Sequence, residues 1–249
     1  MTKAPKKATK GTRKAAGNDE VRDRLVEAAM ELAAEKDWRE ISLAEIARHA
    51  GVSLAEARAV IACRGDVLRV LRKRIDEALL ASLEKEPPQG EPIDRLFDII
   101  MRRLELLAPY RAAVRRLLAQ PVSILAECPL LAPGALLSQR WMLAAAELEK
   151  PGVEGCVNTL GLELVWLKTL RAWVDDDDPG LSRTMAMLDG ELRRGEKWLK
   201  RLAGPIEVAE AGRAFARSLA CAAARIVGGG RAQPAGEEAP AEEPAAEKG

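Results

Sequence analysis

The sequence predicts an all-helical protein, and three observations carry that prediction. Aromatic residues make up only 3% of the 249-residue chain, while Ala, Leu, Arg and Glu dominate, a composition that favours helix over strand. Apolar residues recur at three- and four-residue spacing through most of the chain, the period of a helix with one buried face. Two serines, Ser42 and Ser53, each stand three residues before a glutamate, the signature of a helix start. With 48% of residues hydrophobic, there is enough apolar side chain for a sizeable core in one large domain or two small ones.

Residues 1–17 hold six cations (Lys3, Lys6, Lys7, Lys10, Arg13, Lys14) and no acid, with few large apolar side chains to offset the entropy of ordering. They read as a disordered basic tail, a solvated spacer or a segment drawn to phosphates of lipid or nucleic acid. The first helix spans about Asp19 to Lys36, with Val21, Leu25, Ala28, Ala29 and Leu32 on one face. Ser42 and Glu45 form a capping box, with Ile41 placed to staple onto Ile46. Ser53 and Glu56 repeat the box directly after Gly51, whose position suits a left-handed helix C-cap. Two short capped helices around a Gly-containing turn make a helix-turn-helix. A long helix follows, carrying Val67, Leu68, Leu71, Ile75, Leu79 and Leu83. The Pro/Gly-rich stretch Glu86–Pro92 breaks it and closes a subdomain over 18–85.

The second half, 92–202, opens on a stripe of Ile93, Leu96, Phe97, Ile100, Met101, Leu104 and Leu107. Pro109 restarts the chain, and Tyr110, Val114, Leu117 and Leu118 continue it. Cys128-Pro129 and Pro133-Gly134 mark a loop before a helix bearing Leu136, Leu137, Trp141 and Leu148. Residues 153–174 carry two apolar faces: Val157, Leu160, Leu164 and Leu167 on one, Leu162, Trp166, Leu170 and Trp173 on the other. Such a helix needs cover on both sides, one by the core and one by a ligand or a second subunit. Asp175–Asp178 precede Pro179; the reading preferred to a metal site is that Asp178 caps a helix whose first turn holds Pro179. That helix carries Leu181, Met185, Leu188, Leu192 and Leu199. Gly204-Pro205 then sets apart an amphipathic helix, 206–227, with Val208, Ala211, Phe215, Leu219, Ala222 and Ile226 on one face. That face suits docking on the body or a partner, or lying in a membrane interface. Residues 228–249, rich in Gly, Pro, Ala and Glu, read as a disordered acidic tail.

Several classes are argued against. No apolar run approaches the roughly 20 residues of a membrane span, and the N-terminus lacks the apolar core of a secretory signal. Four scattered cysteines form no C-x-x-C pair, which fits a reducing compartment better than a disulfide framework or zinc site. The single histidine, His49, has no evident Ser or Cys partner for a hydrolytic triad. Gly-rich phosphate loops and metal-ligand spacings are missing, so neither catalytic residues nor a cofactor are expected and the chain reads as no enzyme. The expected location is cytoplasmic.

Over "ISLAEIARHAGVS" (41–53), followed by a long helix, a Pro break and an all-helical second half, the chain resembles the TetR regulator fold. Where that family usually places a Tyr, often a His, then a Phe and soon a Lys, this chain has Arg58, Val60, Ile61 and Arg64. From Asn18 to Lys85 there are 12 cations and 14 acids, a net of −2, a poor footprint for phosphate neutralisation. The patch Arg69, Arg72, Lys73 and Arg74 keeps DNA in view, with Ser53, Arg58 and Arg64 as candidate contacts.

"LAPY" (107–110), "WVDDDDPGLSRTMAMLDGEL" (173–192) and the terminal amphipathic helix together resemble the coenzyme Q biosynthesis protein nine family, over roughly 19–227. The resemblance implies a TetR-like fold, a homodimer, binding of isoprenoid lipids including ubiquinone intermediates, and a last helix lying on the membrane. It also implies presentation of the lipid to the pathway's hydroxylase. Spacing back from Pro179 puts Gly155 and Cys156 where that family docks its hydroxylase through an aromatic pair.

The leading expectation is therefore a lipid-carrying accessory protein of ubiquinone biosynthesis, held peripherally at the inner membrane through Val208, Phe215, Leu219 and Ile226. Leu104, Leu107, Trp141, Leu164, Trp166, Leu170 and Met185 are its candidate lipid-binding walls. The alternative is a TetR-type transcription regulator with a hydrophobic ligand, whose dimer sets two recognition helices about 34 Å apart.

Overall fold

The computed structural model describes residues 10–120 and 133–201. The amphipathic segment 206–227, with Val208, Phe215, Leu219 and Ile226, and the acidic tail 228–249 lie outside the described residues. Nine α-helices are described: α1 (Lys10–Glu35), α2 (Leu43–His49), α3 (Leu54–Val60), α4 (Gly65–Lys85), α5 (Pro92–Leu107), α6 (Arg111–Ala119), α7 (Pro133–Ala145), α8 (Gly152–Val174) and α9 (Ser182–Arg201). Short 3₁₀ turns at Trp38–Glu40 and Ala108–Tyr110 complete the described regular structure.

Helix α1 starts at Lys10, well before the expected Asp19, so the basic residues from Lys10 onward extend a helix rather than a disordered tail. Lys, Arg and Ala are strong helix formers, and prolonging an existing helix fixes only one residue per added hydrogen bond. The buried face of α1 is broad because α2, α3 and α4 pack on it together with α6. Leu25, Val26, Ala28, Ala29, Met30, Leu32 and Ala33 are all buried there.

Helix α5 is the axis of the second half, touching α4, α7, α8 and α9. Its buried stripe, Leu96, Ile99, Ile100, Leu104 and Leu107, follows the predicted spacing. Pro92 takes the first turn of α5, where its missing N–H costs nothing. The Pro-rich break falls where expected, yet the core runs past it without interruption from Leu25 to Leu192. The break separates two helices, not two cores.

The Asp-rich turn departs from expectation. Helix α9 begins at Ser182, not at Pro179. The Asp178 carboxylate accepts from the backbone N–H of Gly180 and of Ser182, both at 3.1 Å, folding the chain into a turn ahead of the helix. Leu181 takes a left-handed φ of 51° at the end of that turn. The helix start is served by Asp176, whose Oδ2 accepts from Thr184 N at 2.8 Å and Thr184 Oγ1 at 2.7 Å. Arg111 Nη2 donates to the Trp173 carbonyl at 2.6 Å and also to that of Asp176, and Arg115 Nε donates to the Val174 carbonyl at 2.9 Å. The two motifs "LAPY" and "WVDDDDP" thus form one joint: the arginines that follow the first cap the helix that ends in the second.

Hydrogen bonds from Thr184 hold the Asp176 carboxyl below its ordinary value of 3.8. A carboxyl depressed in the folded state stabilises the fold above its unfolded value and loses that effect as pH falls through the folded one. Asp176→Ala should lower the thermal midpoint by a few degrees at pH 7. The gap to the parent should close below about pH 3.8 in a series of melts read by circular dichroism.

Candidate functional site

The helix-turn-helix is built by polar clamps on a small apolar base. Ser53 and Glu56 complete a reciprocal capping box: Glu56 N donates to Ser53 Oγ at 3.2 Å, and Ser53 N to Glu56 Oε2 at 2.8 Å. Ser42 is only half of one. It accepts from Glu45 N at 3.2 Å, while the Glu45 carboxylate turns to Lys36 and is held low by that ammonium. Gly51 takes φ 64° and closes α2, and Arg24 of α1 donates to the carbonyls of Ala50 and Gly51 at 2.6 and 2.7 Å. His49 is exposed and pairs with Glu31 at 2.7 Å. Ile46, Ala47 and Ala57 face inward.

The outward face of α3 carries Leu54, Ala55, Arg58 and Ala59, with Leu54 58% exposed. Arg58 points to solvent, as a DNA contact requires. Arg64 does not: its Nη1 donates to the Trp38 carbonyl at 2.8 Å and to that of Ile41, and its guanidinium lies 5.6 Å from the centre of the Trp38 ring. That side chain braces the turn leading into α2. Arg74, from the basic patch of α4, is likewise engaged. It pairs with Glu27 of α1 at 2.7 Å and stacks 5.6 Å from the centre of the Tyr110 ring.

Tyr110 thereby links the two halves. Its hydroxyl donates to Glu27 at 2.8 Å and accepts from Arg74. Partial burial, then the bond to the Glu27 carboxylate, pushes the phenol up to about 12. Sequence reading found the "LAPY" motif but not this role, because both partners lie in the other half of the chain.

The candidate lipid walls divide. Leu104, Leu107, Trp166 and Leu170 lie together in the core, whereas Trp141, Leu164 and Met185 face solvent. Of the two faces predicted on α8, the one with Leu162, Trp166, Leu170 and Trp173 is buried. The other is left partly open at Leu160, Leu164 and Leu167.

What sequence reasoning missed is a cluster of buried polar side chains among α4, α5, α7 and α8. Arg103, 3% exposed, donates to Asp76 Oδ1 at 2.7 Å and lies 4.5 Å from the centre of the Trp166 ring. Ser138 donates to the other oxygen of Asp76. Gln139 Nε2 donates to Glu163 Oε2 at 2.5 Å, both residues being fully enclosed. Burial pushes the Glu163 carboxyl up, with Gln139 and Arg103 opposing. The signal was present: Arg103 and Glu163 occupy positions that helical spacing assigns to apolar faces. Among the described residues no group of His, Cys, Asp and Glu is placed to hold a metal, and no helix is long and apolar enough to cross a membrane.

No protein-family profile matches the chain, and no curated protein sequence does. Solved structures do. A TetR transcriptional regulator from Nitrosomonas europaea is 24% identical with a TM-score of 0.55, covering 70% of this chain and 96% of its own. Another, from a Rhodococcus species, is 20% identical with a TM-score of 0.53, covering 70% of this chain and 94% of its own. At these identities the likeness establishes the TetR-like all-helical fold and goes no further.

Tyr110→Phe keeps the ring beneath Arg74 and removes only the hydroxyl. It should cost about 1 kcal/mol in urea-induced unfolding, the usual worth of a partly exposed hydrogen bond. A larger loss on Tyr110→Ala would report the stacked ring.

Proposed function

We propose that this chain is a TetR-type transcription regulator, a dimer that reads DNA through α3 and responds to an apolar ligand in its second half. The observation that carries this reading is the state of α3: locked by a full capping box and by its packing on α1, with Leu54, Ala55, Arg58 and Ala59 all left to solvent. A rigid short helix with a bare outer face is what insertion into a major groove requires. The two similar solved structures are both described as transcriptional regulators.

Electrostatics set the terms. The net of −2 over residues 18–85 is unfavourable, but the six cations of residues 1–17 bring residues 1–85 to +4. Phosphate affinity would then come largely from the basic N-terminal segment, with Arg58 the cation nearest the groove. Leu164 of α8 and Met185 of α9, exposed on adjacent helices, support a dimer face there. Neither residue set assigns turnover, so the role proposed is binding alone.

A footprinting and salt-titration assay on genomic fragments tests this. A protected palindrome is expected, with affinity falling steeply in salt. Arg58→Ala should lower the slope of log affinity against log salt by about one. Replacing Lys3, Lys6 and Lys7 by Ala should lower it further, by up to about three. No protected site in any fragment would remove the reading.

One specific observation favours a second reading. Leu137 and Trp141, four residues apart on α7, are 53% and 52% exposed, a wide apolar pair open to solvent. Combined with the sequence resemblance over 173–192, it supports a lipid-carrying accessory protein of ubiquinone biosynthesis. Such a protein would lie on the inner membrane through Val208, Phe215, Leu219 and Ile226 and pass an isoprenoid intermediate to a hydroxylase. Native mass spectrometry and liposome flotation decide it. Protein carrying no isoprenoid and ignoring liposomes would end this reading.

A further inference from the structure

The outer face of α3 has a composition that limits what it can read in a base pair. Leu54 and Ala55 stand at its first two positions, with Arg58 and Ala59 one turn on, so the four form two adjacent rows. All four are exposed, Leu54 to 58%, while Ala57 faces the other way and is buried. The first residues of a recognition helix are those brought against base edges in a major groove. Here those first residues are apolar.

The polar side chains at the same end are committed to the fold. Ser53 Oγ accepts from Glu56 N at 3.2 Å and donates to Glu56 Oε2 at 2.7 Å. The same carboxylate oxygen accepts from Ser53 N at 2.8 Å. Glu56 is thereby turned back onto the cap, instead of out toward a cytosine amino group. From Ser42 to Cys63 there is no Asn, Gln, Thr, Tyr or Lys. The bidentate adenine contact needs the amide of Asn or Gln, so adenine has no hydrogen-bonding reader on this helix. Arg58 remains, and it suits guanine. Among the described residues no hydrogen bond or ion pair holds it, whereas Arg24 and Arg64, which brace the same subdomain, are bound to backbone carbonyls.

The major-groove edge of a base pair offers one feature that an apolar side chain can recognise, the C5 methyl of thymine. Ala55 and Ala59 carry a single methyl each, so α3 can lie deep in the groove, and Leu54 extends beyond them. We infer that α3 reads methyl groups: the chain selects a half-site in which one guanine, held by Arg58, stands beside thymines whose methyls are covered by Leu54, Ala55 and Ala59. This deepens the regulator reading by naming the bases it takes, and rests on that reading.

The test is selection from a pool of random DNA duplexes by the full chain, followed by titration of the selected site made with thymine or with uracil, which lacks only the methyl. Binding is read by fluorescence anisotropy at fixed salt. Uracil in the half-sites should weaken binding about fourfold for each methyl covered, the worth of one buried apolar carbon, and so at least about tenfold for two. Uracil outside the protected bases should change nothing. Leu54→Ala, at an exposed position, should bind the thymine site more weakly and shrink the uracil effect about fourfold. Arg58→Ala should lose about tenfold or more of the preference for guanine at one position per half-site and keep the uracil effect. Equal binding of the thymine and uracil sites by the parent chain, or an undiminished uracil effect in Leu54→Ala, overturns the inference, and a selected site then leaves the regulator standing. A pool in which no sequence is enriched removes both.

Discussion

A single phenol oxygen, that of Tyr110, stands where the two halves of the molecule meet. It bridges a carboxylate on α1 and a guanidinium on α4, just before α6 begins. Helix α6 then does two things at once. Its apolar residues Ala113 and Leu117 pack inward, where it lies against α1, and its first arginines cap the end of α8. The position of the helix-turn-helix relative to the bundle is therefore set by a short polar relay and not by apolar packing alone. Polar relays have directional geometry and few alternative arrangements, whereas apolar contacts slide.

The same economy shows in several of the chain's arginines, whose donors are turned inward. Arg24 closes α2, Arg64 braces the turn before it, Arg74 joins α1 to α4, Arg103 is enclosed in the core, and Arg111 and Arg115 cap α8. A guanidinium presents several donors in a rigid fork, which suits it to gathering backbone carbonyls. Cations spent on the protein's own carbonyls are withdrawn from any phosphate. Arg58, by contrast, is exposed on α3, in a molecule whose net charge is only +1.

Local signals were legible wherever the chemistry is local. Both serine caps, the left-handed Gly51, the break before Pro92 and the apolar stripes of α4 and α5 are carried by residues within one turn of each other. The Asp-rich turn was legible in kind and wrong in detail: carboxylates do serve the start of α9, but Asp176 reaches Thr184 across eight residues, beyond any cap that spacing anticipates. The candidate walls were half legible. Periodicity marked them all as apolar, but it carries no information on which neighbour covers a face, so Trp141, Leu164 and Met185 emerged on the surface.

By itself, then, the sequence determined the helices, most of their ends and the helical class of the fold, because hydrogen-bond ladders, caps and apolar periodicity are written over a few residues. Tertiary structure alone decided what the buried charges do. Arg103 and Asp76 are 27 residues apart, Gln139 and Glu163 24, and Tyr110 and Glu27 83. Pairings over such separations depend on how helices cross, and a charged residue on an apolar stripe stays ambiguous until the packing brings its partner to it.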